Sequence, residues 1–91
     1  MIGWLIAGLA ALFVVALSLS TVFDWFAANK TPLSEYGVLI KQRLEGGRYR
    51  VVAGIFDAGD VKTAQSQWEA EQVDDTLARY FGDRDEIRVE L

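Results

Sequence analysis

The sequence predicts a membrane protein in which a single N-terminal transmembrane helix precedes a small α+β domain. Residues 1–23 carry no charged side chain, and the residues after them alternate short apolar patterns with turns rich in Gly and Asp. A helix over such an uncharged stretch would cross the roughly 30 Å hydrocarbon core of a bilayer. We therefore expect a transmembrane anchor over 1–26, a juxtamembrane connector over 27–47 and a ββαβ extramembrane domain over 48–91.

Aromatic residues flank both ends of the predicted anchor. Trp4 lies near one end, Trp25 and Phe26 lie near the other, and Lys30 follows. Indole rings favour membrane–water interfaces, so we predict these four residues as interfacial anchors. A cleaved signal peptide is the alternative, but the basic n-region that such a peptide requires is missing.

Small residues recur at helical spacing along the anchor. In lipid, helices associate through close backbone approach, which small side chains permit. We therefore predict a helix-packing face, with a lone anchor surrounded by lipid as the alternative. The predicted face comprises Gly3, Ala7, Ala10, Ala11, Val14 and Ser18.

The positions of the basic residues predict the orientation. Lys30, Lys41 and Arg43 all follow the anchor, and the positive-inside rule then places the C-terminal domain in the cytoplasm. A short anchor with a miniature domain is typical of small bacterial membrane proteins. The expected location is therefore a bacterial inner membrane.

The connector is predicted as an amphipathic helix. Thr31 and Pro32 resemble a helix N-cap and first position, and Gly46 with Gly47 would end the helix. A strand is the alternative, because the apolar residues around Tyr36 also alternate and the two glycines could close a hairpin. A glycine within a helix costs about 1 kcal/mol, and Gly37 therefore weakens the helix prediction.

The remaining chain predicts two strands, a helix and a closing strand. The first strand has apolar residues on both faces, which indicates burial on both sides. A helical crossover would place the closing strand parallel to the second strand. The predicted elements are a strand over 48–56, a turn over 57–60, a strand over 61–70, a helix over 71–81 capped by Gly82, and a strand over 87–91.

Trp68 lies within a polar strand. We predict that it is a core aromatic beneath the helix over 71–81, and an anchor at a protein interface is the alternative.

Charge is unevenly distributed along the chain. Residues 57–91 contain ten acids and four bases, whereas four of the five charged residues between 36 and 56 are basic. We predict that these four contact anionic headgroups or an acidic partner, with ordinary solvation as the alternative. They are Lys41, Arg43, Arg48 and Arg50.

Catalytic chemistry finds little support. The sequence has no histidine and no cysteine, which removes the commonest general base, thiol nucleophiles and the usual transition-metal ligands. No phosphate-binding glycine motif occurs. The acids at 57 and 60 have the spacing of a turn, not of a calcium loop. We expect no enzyme, no cofactor, no metal and no small-molecule substrate, and the acidic domain disfavours nucleic acid.

These features predict a non-catalytic, single-pass accessory subunit of a larger integral membrane protein complex. Its transmembrane helix would dock on other subunits within the bilayer and help to assemble or stabilise the complex. The alternative is a free, membrane-tethered adaptor or regulator. Such a protein would bind a soluble partner through the exposed face or edge of its sheet.

Overall fold

A computed structural model describes residues 11–91, which form an α+β domain with a five-stranded mixed sheet and two α-helices. Ten residues, 1–10, precede this described part. A short 3₁₀ turn, Glu45–Gly47, connects the second and third strands. In chain order the elements are β1 (Leu12–Leu17), α1 (Leu19–Asn29), β2 (Ser34–Arg43), β3 (Tyr49–Asp57), β4 (Lys62–Val73), α2 (Asp75–Phe81) and β5 (Glu86–Glu90).

The strands lie side by side in the order β1-β4-β3-β2-β5. β2, β3 and β4 form an antiparallel meander, and β5 pairs antiparallel with β2. β1 pairs parallel with β4, at the opposite edge. β1 therefore forms one edge of the sheet and β5 forms the other.

The predicted transmembrane helix is wrong. Between residues 11 and 91, no helix is both long enough and apolar enough to cross a bilayer. The region instead contains β1 followed by α1, whose 11 residues span about 17 Å at 1.5 Å per residue. The predicted single-pass topology and the inner-membrane location depended on that helix and are contradicted with it.

Local chemistry is compatible with a strand and a short helix in place of one long helix. Phe13, Val14 and Val15 are aromatic or β-branched residues, which suit a strand. Ser18 then acts as the N-cap of α1, its Oγ accepting a hydrogen bond from the Thr21 amide at 3.1 Å. Pairing with β4 satisfies the backbone of β1 on one side.

The connector is a strand, not the predicted helix. β2 runs Ser34–Arg43 in register with β3, and the Gly46–Gly47 region forms the turn between them. Both glycines have positive φ, at 84° and 85°, which a turn of this kind requires. The alternation of apolar residues around Tyr36 was thus the informative pattern.

The hairpin and the second helix follow the sequence more closely. β3 is buried on both faces as expected: Val51 and Ile55 contribute to the core beneath the helices, and Val52 and Phe56 lie on the opposite face. α2 is shorter than predicted because Asp74 is its N-cap, with its Oδ1 accepting from the Leu77 amide at 2.9 Å.

The closing strand occupies a different place from the one predicted. β5 pairs antiparallel with β2, and the parallel neighbour of β4 is β1. β1 occupies the free edge of β4, and β5 therefore forms the other edge beside β2.

Trp68 is a core aromatic, as predicted, and 3% exposed. Its aromatic partner, however, is Trp25 on α1, in an edge-to-face arrangement with ring centroids 6.2 Å apart. Both helices contribute to this core, α1 through Val22 and Phe26 and α2 through Leu77. The helices therefore cover the same face of the sheet, which we call the helix face.

We expect Gly37→Ala to destabilise the domain by about 1–3 kcal/mol, because overpacking forces neighbouring groups to move. Phe26 packs directly on Gly37, and a Cβ there would lie 2.5 Å from Phe26 Cε1. Urea unfolding would measure the loss. Gly59→Ala is the control, since its Cβ would lie 3.4 Å from its nearest neighbour, Asp57 Oδ1. Equal stability of the two variants would contradict close packing at Gly37.

Candidate functional site

The outer edge of β1 exposes large apolar side chains. Leu12, Phe13 and Val15 are 59%, 58% and 62% exposed. The strand reads LFVVAL and contains no charged residue. In the sheet β1 has one neighbouring strand, β4, so among residues 11–91 no strand pairs with its outer side.

The apolar side chains of β1 lie on both faces of the sheet. Phe13 is in register with Glu69, and Val14 with Ala70, a residue of the core beneath the helices. Successive residues of a strand point to opposite faces, so Phe13 and Val15 lie on the face away from the helices. We call this second side, which carries neither α-helix, the free face.

The opposite edge of the sheet has a different character. On β5, Glu86, Arg88 and Glu90 alternate with the core residues Ile87 and Val89. Charged side chains on an edge strand discourage pairing with other chains. The two edges of the sheet therefore differ: β5 is charged, whereas β1 is apolar and uncharged.

Acidic residues border β1 along β4 and the start of α2. The stretch 69–75 contains four acids and no basic residue. Phe13 is in register with Glu69, and the neighbouring pairs Val14–Ala70 and Ala16–Gln72 place Val15 beside Glu71. We call these four acids the acidic border: Glu69, Glu71, Asp74 and Asp75.

A row of stacked side chains crosses the free face near β5. The rings of Tyr36 and Phe56 stack with centroids 5.2 Å apart, and the Arg88 guanidinium lies 4.0 Å from the Tyr36 centroid. The Tyr36 hydroxyl donates a hydrogen bond to Asp60 Oδ1 at 2.8 Å. This row ties β5, β2 and β3 together at the end of the sheet that holds the β3–β4 turn.

Electrostatics raise the pKa of Tyr36 above its ordinary value. The largest cause is the hydrogen bond to Asp60, which stabilises the protonated phenol, and partial burial and the negative charge of Asp60 act in the same direction. The positive charge of Arg88 opposes them.

The turn between β3 and β4 is built by its own aspartates. Asp57 Oδ1 accepts hydrogen bonds from the amides of Gly59, at 2.9 Å, and Val61, at 3.0 Å. Asp60 has a φ of 61°, a conformation that Asp adopts more readily than most residues. The side chains of this turn thus stabilise the hairpin.

The residues predicted for helix packing do not form one helix face. Gly3, Ala7 and Ala10 lie outside the described residues. Ala11 precedes β1, Val14 lies within β1 and partly packs against the core, and Ser18 caps α1.

The predicted interfacial anchors are similarly dispersed. Trp4 lies outside the described residues. Trp25 and Phe26 pack inward from α1, and Lys30 directly follows that helix, its amide donating to the Phe26 carbonyl at 2.9 Å. The two aromatics therefore belong to the hydrophobic core.

The four predicted basic contacts do not share one surface. Lys41 lies over the Phe81 ring, at 5.1 Å, and Arg43 lies over the Tyr49 ring, at 5.6 Å. Arg48 forms an ion pair with Glu69 at 3.9 Å, and Arg50 lies opposite Glu69 across β3 and β4. Each of the four therefore has an aromatic or acidic neighbour within the chain.

Sequence reasoning missed Leu12, Phe13 and Val15 as a site, because it assigned them to a helix in lipid. The signal that could have identified a strand was the concentration of aromatic and β-branched residues at 13–15, followed by a cap at Ser18.

We expect Asp60→Asn to lower the pKa of Tyr36 toward the ordinary tyrosine value of about 10. The pKa of Tyr36 is raised in the folded state. The contribution of the Tyr36–Asp60 contact to stability is therefore complete below the ordinary tyrosine pKa, and it is lost as the pH rises through the folded-state pKa. NMR titration of the tyrosine rings would measure the change. Tyr80, whose pKa is raised mainly by burial, is the internal control and should not respond. An unchanged Tyr36 titration would contradict the role of Asp60.

Comparison with known proteins found no matching family model, no matching curated protein and no matching solved structure.

Proposed function

We propose that this chain is a non-catalytic protein-binding module that adds an extended segment of a partner protein to the outer edge of β1. The observation that carries the proposal is the exposure of Leu12, Phe13 and Val15 on an uncharged edge strand. An edge strand presents unpaired backbone groups, and a partner strand can hydrogen bond to them.

The contrast between the two edges supports β1 as the binding edge. Natural sheets protect exposed edges with charged residues, bulges or covering elements. β5 carries alternating charges, whereas β1 has none. The difference is what we expect if one edge is protected against pairing and the other is used for it.

Apolar contact would add to the backbone hydrogen bonds. Burying a Val or Phe side chain completely contributes about 1.5–3 kcal/mol relative to leaving it exposed. Phe13 and Val15 lie on the same face, and an added strand would place its own side chains against both. The backbone would thus supply affinity, and the pattern of side chains would supply specificity.

From the adaptor hypothesis we keep the binding of a partner protein through an edge of the sheet, without the membrane tether. Docking through a transmembrane helix is not proposed, because Leu12–Leu17, within the predicted helix, form β1. The lack of histidine and cysteine in the sequence supports a non-catalytic role.

We expect Val15→Lys to weaken peptide binding at β1, because a charge on an edge strand opposes strand pairing. The probe is a displayed library of random peptides about eight residues long, a usual strand length. Peptides enriched on the full chain should lose affinity about tenfold or more on Val15→Lys, by analogy with other centrally placed interface side chains.

Val61→Lys is the matched control. Val61 is 58% exposed, similar to Val15 at 62%, but it precedes β4 at the end remote from the residues that pair with β1. The enriched peptides should bind this variant normally. Equal binding to Val15→Lys and the unmodified chain, or equal losses in both variants, would refute the assignment of the binding edge.

A further inference from the structure

We infer that the segment bound at β1 alternates apolar with basic residues, an inference that rests on the function proposed above. The acidic border supplies the charge to which such a segment is complementary. It contributes four acids over residues 69–75, on the strand and helix start that adjoin β1. Basic side chains of the partner would therefore be attracted, and acidic ones repelled.

The register of β1 on β4 determines which partner positions should be basic. Phe13 and Val15 share the free face with Glu69 and Glu71, because alternate residues of a strand point to the same side. A strand added outside β1 would lie two strand spacings from β4, about 10 Å. A lysine there can lay its aliphatic stem on Val15 and extend its ammonium group toward Glu71.

The other side chains of the added strand, those on the helix face, would contact an apolar surface. On the helix face, Leu12 is 59% exposed and Val14 packs partly against the core. Apolar residues of the partner would therefore lie on the helix face and basic residues on the free face. The period of two follows from the pleat of the strand.

Within the acidic border, Glu71 is the acid best placed to attract a partner. Glu69 already pairs with Arg48 at 3.9 Å and has Arg50 opposite it. Asp74 is engaged as the N-cap of α2. Glu71 is exposed and forms no ion pair with any residue between 11 and 91. Its charge is thus available to a partner.

The same charges disfavour a second copy of the chain at this edge. The chain has a formal net charge of −4, and a second copy would bring its own acidic border toward the first. Like charges placed together at an interface oppose association. The partner segment is therefore expected to belong to a different chain.

The test uses three synthetic peptides and the full chain. Each peptide alternates valine with a second residue, which is Lys, Gln or Glu. Fluorescence anisotropy of the labelled peptides would measure Kd. We expect the Lys peptide to bind about tenfold more tightly than the Gln peptide at low salt, and the Glu peptide to bind most weakly. The difference should shrink at about 1 M salt, where the Debye length is near 3 Å.

Glu71→Gln should weaken binding of the Lys peptide about threefold and leave the Gln peptide unaffected. Glu86→Gln removes one exposed acid from β5, at the other edge, and is the control for net charge. Its Kd for the Lys peptide should remain unchanged. Equal losses in the two variants would overturn the role of Glu71.

A fourth peptide separates failure of this inference from failure of the proposed function. N-methylation of four consecutive central residues in the Lys peptide removes backbone donors from both of its edges without changing its charge, and should abolish strand addition. If the methylated peptide binds as well as the parent, binding is not edge addition and the proposed function fails. If methylation abolishes binding but the Lys, Gln and Glu peptides bind with equal affinity, only the charge inference fails. A dimer of the full chain that Val15→Lys dissociates would instead identify a second copy as the occupant, and would overturn the inference.

Discussion

The parallel pairing of β1 with β4 is the constraint on which the rest of the structure depends. It uses the free edge of the meander, and Leu17 at its end is completely buried. The carbonyl of Leu17 accepts a hydrogen bond from the Asp74 amide at 2.9 Å, which connects the end of β1 to the start of α2. Ser18 then begins α1, which returns across the sheet and brings Trp25 to Trp68. One strand pairing thus positions both helices over a common core.

Basic and acidic residues serve different purposes in this domain. Lys41, Arg43 and Arg88 lie over the aromatic rings of Phe81, Tyr49 and Tyr36. Such cation–π contacts contribute roughly 0.5–1 kcal/mol each at exposed sites. Acids such as Glu71 lack a comparable contact within the described residues. These three basic side chains therefore stabilise the sheet, whereas the Glu71 carboxylate is exposed and forms no ion pair within residues 11–91.

The two edges of the sheet differ because their strands have different patterns of charged and apolar residues. β5 alternates charged and apolar residues, so one face of the strand packs on the core while the other remains polar. β1 is apolar at every position and only Leu17 in it is buried, so apolar side chains remain exposed on both faces of the sheet. Edge strands that are protected from association usually carry charged residues, and β1 carries none. This difference is the basis for proposing the β1 edge as the binding edge.

Much of the C-terminal half could be predicted from sequence, because its elements are specified by local signals. The aspartates around Gly59 build their own turn, Asp74 and Gly82 cap α2, and β3 has apolar residues on both faces. Such signals act between residues a few positions apart, and the alternating pattern of β5 likewise requires no knowledge of its neighbour. The candidate site was not predictable in this way, because exposure of Phe13 and Val15 depends on where β1 lies in the sheet.

The sequence by itself determined an α+β domain, the hairpin, the capped second helix and the absence of histidine and cysteine. Only the tertiary structure decided the fate of the apolar N-terminal region and the placement of the closing strand. An uncharged run containing Phe13, Val14 and Val15 satisfies its backbone either as a helix or by pairing with another strand. The choice is made by the unpaired edge of β4, more than 50 residues away in the chain, and no local pattern records that contact.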